Sequence, residues 1–245
     1  MSVIVNFRLG KSVLITVLFS FFLGACTQFF STSLAPWAAR DPETLIPEVN
    51  AGNVDELIRK TRNNPEMSLV VLKRIRSASE NAQGNDLLAL QQAAVQAASN
   101  ATGIASSLIS QAGNISGIDN KDDAIGLIES SLASMKNLGP VADNLNDILP
   151  DPVPGNPEWE NFVNNSSADD LAIVAVLLLA GEAKKDPGGV EDYINNKFED
   201  NKTNSTLTSQ EALALALVEE ALNKSGSSGL SDSLKALAEG LKLTP

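Results

Sequence analysis

After residue 41, the spacing of apolar and polar positions reads as a succession of helices rather than strands. Pro42 to Asn50 and Val54 to Arg62 predict two short helices separated by Ala51-Gly52-Asn53. At Asn64-Pro65-Glu66, a cap residue, a proline at the first helical position and an acid in the first turn open a longer one. Its inward set is Leu69, Leu72 and Ile75, extended by Ala78 and Ala82. Lys73, Arg74 and Arg76 fall mainly on the other side, and Gly84 is expected to end it. Asn85 then caps DLLALQQAAVQAASNATGIASSLISQAG, which reads either as one long helix or as two broken near Asn100 to Gly103. Its Ala and Ser content suits close approach of a neighbouring backbone.

A further helix is expected from Asp119 or Asn120 to Leu138, with Ile125, Ile128, Leu132 and Met135 inward and Gly139-Pro140 as its stop, followed by a short one over Val141 to Leu149. Pro150 to Pro157 places four prolines in eight residues. That segment is either a domain boundary or a crossover between two layers. Trp159 and Phe162, in Glu158 to Asn164, are expected to pack the crossover against the core. Leu171 to Gly181 (LAIVAVLLLAG) is apolar on every side within Ser167 to Lys185. Asp169 and Asp170 open that segment and Lys184 and Lys185 close it, complementing the helix dipole. A helix of this kind is expected at the centre of a bundle. Gly188 to Glu199 reads as a more polar helix carrying Tyr193, Ile194 and Phe198. Thr208 with Glu211 forms a capping box for EALALALVEEALNKSG, and Ser231 to Leu243 is expected as the last helix.

Composition sharpens this picture. The chain is 43% apolar but only 4% aromatic, a balance that favours closely packed helices. The expected fold class is all-α, with antiparallel helical hairpins in a two-layer bundle or a short repeat array. No fixed period emerges from the helix starts near Asn64, Asn85, Asn120, Ser167, Thr208 and Ser231.

The first residues differ from the rest. Met1 to Lys11 carries two positive charges and no acid, and Ser12 to Leu23 (SVLITVLFSFFL) is almost purely apolar before small residues. That is the order of a secretory signal. As a helix, Val13 to Ala25 would reach only about 20 Å against a hydrocarbon core of roughly 30 Å. The segment ends in Leu23-Gly24-Ala25-Cys26, and Cys26 is the only cysteine in the chain.

Those four residues resemble the lipobox of bacterial lipoproteins. The resemblance covers the signal alone. It implies that Leu23, Gly24 and Ala25 are read by a signal peptidase, which cuts before Cys26 once its sulfur carries a diacylglyceryl group. Residues 1–25 would then be the signal, 26–41 a lipidated tether with Phe29, Phe30 and Trp37 available to the bilayer interface, and 42–245 the helical domain. Two or three acyl chains hold firmly where one is marginal, at about 0.8 kcal/mol per buried CH₂. Thr27 rather than Asp after the cysteine resembles outer-membrane sorting, with the domain in the periplasm or, alternatively, on the cell surface. A lipidated cysteine followed by NNPEMSLVVLKRI with GNDLLALQQAA, and by LAIVAVLLLAGEAKKDP, is also similar to tetratricopeptide-like lipoproteins, including those accompanying periplasmic tripartite transporters.

Charge and missing residue types narrow the chemistry. The formal charge is −12, and about −14 without Arg8 and Lys11, so a nucleic-acid partner is not expected. With no histidine and its one thiol assigned to lipid, the chain offers neither the usual base near neutral pH nor common zinc ligands. No motif frames Ser106 and Ser107 or Ser130 and Ser131 as nucleophiles. Asp122-Asp123, Asp169-Asp170 and Glu219-Glu220 are neighbours in sequence, which on a helix point about 100° apart. Asp200 to Glu211 has acids at both ends like a calcium loop, but Lys202 and Ser205 occupy positions that need a ligand and a glycine. We therefore expect no enzyme, cofactor or metal. The expectation is a lipid-anchored, non-enzymatic protein-binding or scaffold module, accessory to envelope transport. The alternative is a carrier of a small apolar ligand in a helical cavity.

Overall fold

The computed structural model describes residues 42–107, 121–198 and 207–224. Among these the structure is helical without strands, as the all-α expectation required. The expected last helix, Ser231 to Leu243, lies outside the described residues.

Two compact units are distinguished, with the division after Leu45. Of the first, one helical turn, Pro42–Leu45, is described. It was expected to continue to Asn50, but Pro47 lacks the N–H that the next turn needs and biases Ile46 away from helical backbone.

The second unit contains α1 (Val54–Thr61), α2 (Pro65–Ser79), α3 (Gly84–Thr102), α4 (Lys121–Ser134), α5 (Leu138–Ile148), α6 (Pro157–Asn165), α7 (Ala168–Ala183), α8 (Gly189–Phe198) and α9 (Ser209–Lys224). A turn tied by Asn50 and Asn53 side chains precedes α1: Gly52 N donates to Asn50 Oδ1 at 2.9 Å, and Asn50 N to Asn53 Oδ1 at 2.9 Å. Asn64 caps α2 as expected, its Oδ1 accepting from Met67 N at 3.2 Å. Gly103 stops α3 in left-handed backbone with φ 73°, and residues 104–107 are helical again, so the broken reading of this segment is the observed one.

Two expected helix limits move. Helix α2 ends at Ser79, and Gly84 begins α3 rather than ending α2; Asn85 is then inside the first turn, preceded by Gln83 at the cap. Gly139-Pro140 is likewise no stop. Helix α4 ends at Ser134 and Asn137, at φ 51°, turns the chain into α5. Pro140 sits in the first turn of α5, where a missing N–H removes no intrahelical bond.

Helices α2 and α3 form one closely packed pair, α7 and α9 another. The first pair is joined by only four residues, which makes it antiparallel. In the second, Gln210 at the start of α9 reaches Leu178 late in α7, whereas Lys224 at the end of α9 reaches Ser166 beside the start of α7. That pair is antiparallel too.

Between them lies α5, packed on α2, α3 and α7. Asn137 at its head donates to Ala101 O at 3.3 Å, and Gln91 of α3 donates to Ile148 O at its tail at 3.5 Å. Its small face meets α7 where Ala142 opposes Gly181. Val141, Leu145 and Ile148 are buried, as are Leu72 and Ile75 from α2 and Leu90, Ala94, Ala98 and Ala101 from α3. Small alanines on α3 let α2 lie close, the consequence expected of that composition.

Leu171, Ala172, Ile173, Val174, Ala175, Leu177, Leu178, Ala180 and Gly181 are all buried, which explains why α7 is apolar all round: it has neighbours on several sides. Ser167 caps it, accepting from Asp170 N at 3.1 Å. No single helix among the described residues is long and apolar enough to cross a membrane. Trp159 and Phe162 of α6 are buried as expected, with α6 packed on α3. Gln92 Nε2 fastens that contact to Asn165 O at 2.9 Å.

Candidate functional site

The capping box at α9 forms in both directions. Glu211 N donates to Thr208 Oγ1 at 3.1 Å and Thr208 N to Glu211 Oε2 at 2.7 Å. What sequence reasoning missed is that Glu211 is only 1% exposed and has two further partners from α8. Tyr193 Oη donates to Oε1 at 3.1 Å, and Lys197 Nζ lies 3.2 Å from the carboxylate. Tyr193 and Lys197 stand one helical turn apart, which lets both reach the same carboxylate. Burial first, and the facing Glu211 charge second, hold the Tyr193 phenol well above its ordinary pKa.

A second polar group continues from it. Lys185 Nζ bonds Glu182 at 2.7 Å and Asp143 at 3.1 Å, which raises its pKa, the Glu182 hydrogen bond contributing most. Gln210, buried, donates to Leu178 O at 2.7 Å. Each of these groups is engaged with another protein group, and together they knit the end of α7 to α5, α8 and the start of α9. Their geometry is that of a structural latch.

An open cleft of about 340 Å³ lies elsewhere, between α1, α3 and the start of α7. Helix α1 contributes Asp55 and Arg59, and Arg62 follows at its C-cap in helical backbone, so the three share one face through spacings of four and three residues. From α3 come Gln96, Ser99 and Asn100, and from α7 comes Asp170. Its apolar lining is Ile58, Val95 and Ile173. The Ser167 hydroxyl donates to Asp170 Oδ2 at 2.7 Å, which orients that carboxylate in the first turn of α7.

Arg59 and Arg62 make no hydrogen bond or ion pair among the described residues, although acids outnumber basic residues by 30 to 18. Other cations are engaged: Lys60 with Glu56 at 2.6 Å, Arg76 with Asp147 at 2.8 Å, and Lys224 with the carbonyls of Asn164 and Ser166 at 3.3 and 3.0 Å. Lys60 lowers the Glu56 pKa chiefly through that hydrogen bond. The sequence carried one signal of the cleft, the Asp55, Arg59, Arg62 spacing. It gave none of the approach of α3 and α7.

Leu23, Gly24, Ala25 and Cys26 lie outside the described residues, as do Phe29, Phe30 and Trp37. Asp169 and Asp170 are in the first turn of α7, as read from sequence. Ser107 Oγ lies 3.0 Å from Ser134 Oγ, and Ser131 is buried. Among the described residues no three His, Cys, Asp or Glu side chains are grouped as metal ligands. Part of Asp200 to Glu211 lies outside the described residues.

No protein-family model matches this chain, and neither a curated protein nor a solved structure gives a significant match.

Proposed function

We propose that this chain is a lipid-anchored envelope protein whose helical body binds a protein partner without catalysing a reaction. The observation that carries the anchor is the order of a basic start, an apolar run and Leu23-Gly24-Ala25-Cys26. On this reading Cys26 carries the lipid, and the body stands in the periplasm off the outer membrane. Accessory service to envelope transport fits the resemblance to tetratricopeptide-like lipoproteins.

The body is suited to presenting a surface. Helix α5 packs on both helical pairs, and polar contacts join the end of α7 to α5 and open α9, so the helices that carry the exposed side chains are tied to one another. A carrier of an apolar ligand would need an apolar cavity, whereas the described cleft is rimmed by arginine, aspartate and amide groups. That chemistry favours polar recognition.

Two measurements test the reading separately. Radiolabelled palmitate is expected to enter the wild-type chain and not Cys26→Ser; equal labelling overturns the anchor. Mild crosslinking in cells followed by purification is expected to recover one protein reproducibly. Repeated recovery of none overturns the partner role.

A further inference from the structure

We propose that the cleft between α1, α3 and α7 binds a small zwitterion of the α-amino-acid class, a free amino acid or a dipeptide with an apolar side chain. Arg59 and Arg62 take its carboxylate, and Asp55 and Asp170 face its ammonium group. This inference goes beyond the scaffold reading and does not depend on it.

Charge matching selects the ligand. Two guanidinium groups and two carboxylates line one cleft, so its formal charge is zero. A phosphate or dicarboxylate would meet both aspartates, and a simple cation would meet both arginines. A dipolar ligand satisfies both signs at once. It is also insensitive to the net field of a chain with formal charge −12, which repels anions at a distance.

The arginines carry the strongest evidence. Asp55 precedes Arg59 by four residues, the order that favours an intrahelical ion pair, yet no such pair forms. Arg62 lies three residues further along the same face and is also without a protein partner among the described residues. Two arginines lining one cleft supply planar forks of the kind that bind carboxylates bidentately. Gln96, Ser99 and Asn100 add neutral donors and acceptors from the opposite wall.

Size and lining agree. At about 340 Å³ the cleft is near the lower limit of small-ligand sites, roughly 300–1,000 Å³. Ile58, Val95 and Ile173 offer an apolar surface for a side chain such as that of leucine. Asp170 has one oxygen occupied by Ser167, which leaves Oδ1 for the ligand.

The test is calorimetric titration of the full-length protein in detergent with leucine and with the dipeptide Ala-Leu. Saturable binding of at least one is expected, and the stronger of the two identifies the size. N-acetylation and C-amidation of the bound probe should each weaken it by about tenfold or more, since each removes a charge-assisted contact. Arg59→Ala with Arg62→Ala should abolish preference for the free carboxylate. Asp170→Asn should reduce preference for the free amine.

Unchanged thermal unfolding of the double arginine variant shows that the loss is local, because neither side chain makes a hydrogen bond or ion pair among the described residues. No binding of either probe overturns the proposal, as does binding that is indifferent to blocked ends or to the arginine substitutions. Recovery of a crosslinked partner by the same variants is read independently, so failure of the cleft leaves the scaffold reading standing.

Discussion

Gly181→Ala is the smallest perturbation that interrogates the centre of the fold. A Cβ at position 181 would stand 2.4 Å from Ala142 Cβ and 3.0 Å from Gln210 Nε2. Carbon atoms prefer about 3.5–4.0 Å, so the first contact is short by more than about 1 Å. Ala142 Cβ hangs directly from the backbone of α5 and has no rotamer into which to retreat. Helices α5 and α7 must separate, or Gln210 must leave Leu178 O, its acceptor at 2.7 Å. Overpacking costs roughly 1–3 kcal/mol and the lost buried hydrogen bond about 1 kcal/mol more. Alanine recovers up to about 1 kcal/mol in helix propensity, because Gly181 has ordinary helical backbone. The net loss is about 1–3 kcal/mol, or a fall in Tm of about 2–4 °C per kcal/mol for a domain of this size. Urea unfolding followed by circular dichroism measures it. Gly126→Ala supplies the control: Gly126 is exposed on α4 and a Cβ there meets nothing within 4 Å, so about 0.5–1 kcal/mol of stabilisation is expected. Ala142→Gly combined with Gly181→Ala should recover part of the loss. Unchanged or greater stability of Gly181→Ala alone would refute the close approach of α5 and α7.

Three further outcomes are expected. Glu211→Ala should lower stability by about 3 kcal/mol in chemical unfolding, with Glu211→Gln costing less because its amide oxygen still accepts from Thr208 N; the 22% exposure of Lys197 keeps the loss below that of a fully buried pair. Stability should fall as pH rises past about 10, because the unfolded chain then releases the Tyr193 proton that the native state retains; Tyr193→Phe should flatten that fall. The raised Lys185 pKa acts in the same direction, its contribution being complete below the ordinary lysine range and lost as pH climbs through the native value. Gly103→Ala should cost about 1 kcal/mol by thermal unfolding, since φ 73° places a Cβ against the backbone carbonyl.

Sequence alone determined the helices that are signalled within one or two turns. Asn64 before Pro65, and Thr208 with Glu211, are caps whose partners lie three residues away, so spacing identifies them. All-round apolarity marked α7 as a helix with neighbours on several sides, and it packs on α3, α5, α8 and α9. Fold class followed from the same local signals.

Tertiary structure decided everything that joins distant segments. Gly139-Pro140 reads as a stop, yet the turn at Asn137, held to Ala101, places it in the first turn of α5. That α5 lies between two helical pairs, that Tyr193 and Lys197 close on Glu211, and that Arg59 and Arg62 meet α3 and Asp170 in one cleft all depend on which faces come together. Backbone hydrogen bonds within a helix span four residues and are written locally. Packing partners are chosen by the burial of whole faces, which many arrangements of one amphipathic pattern satisfy until side-chain volumes, such as that of Gly181 against Ala142, exclude the others.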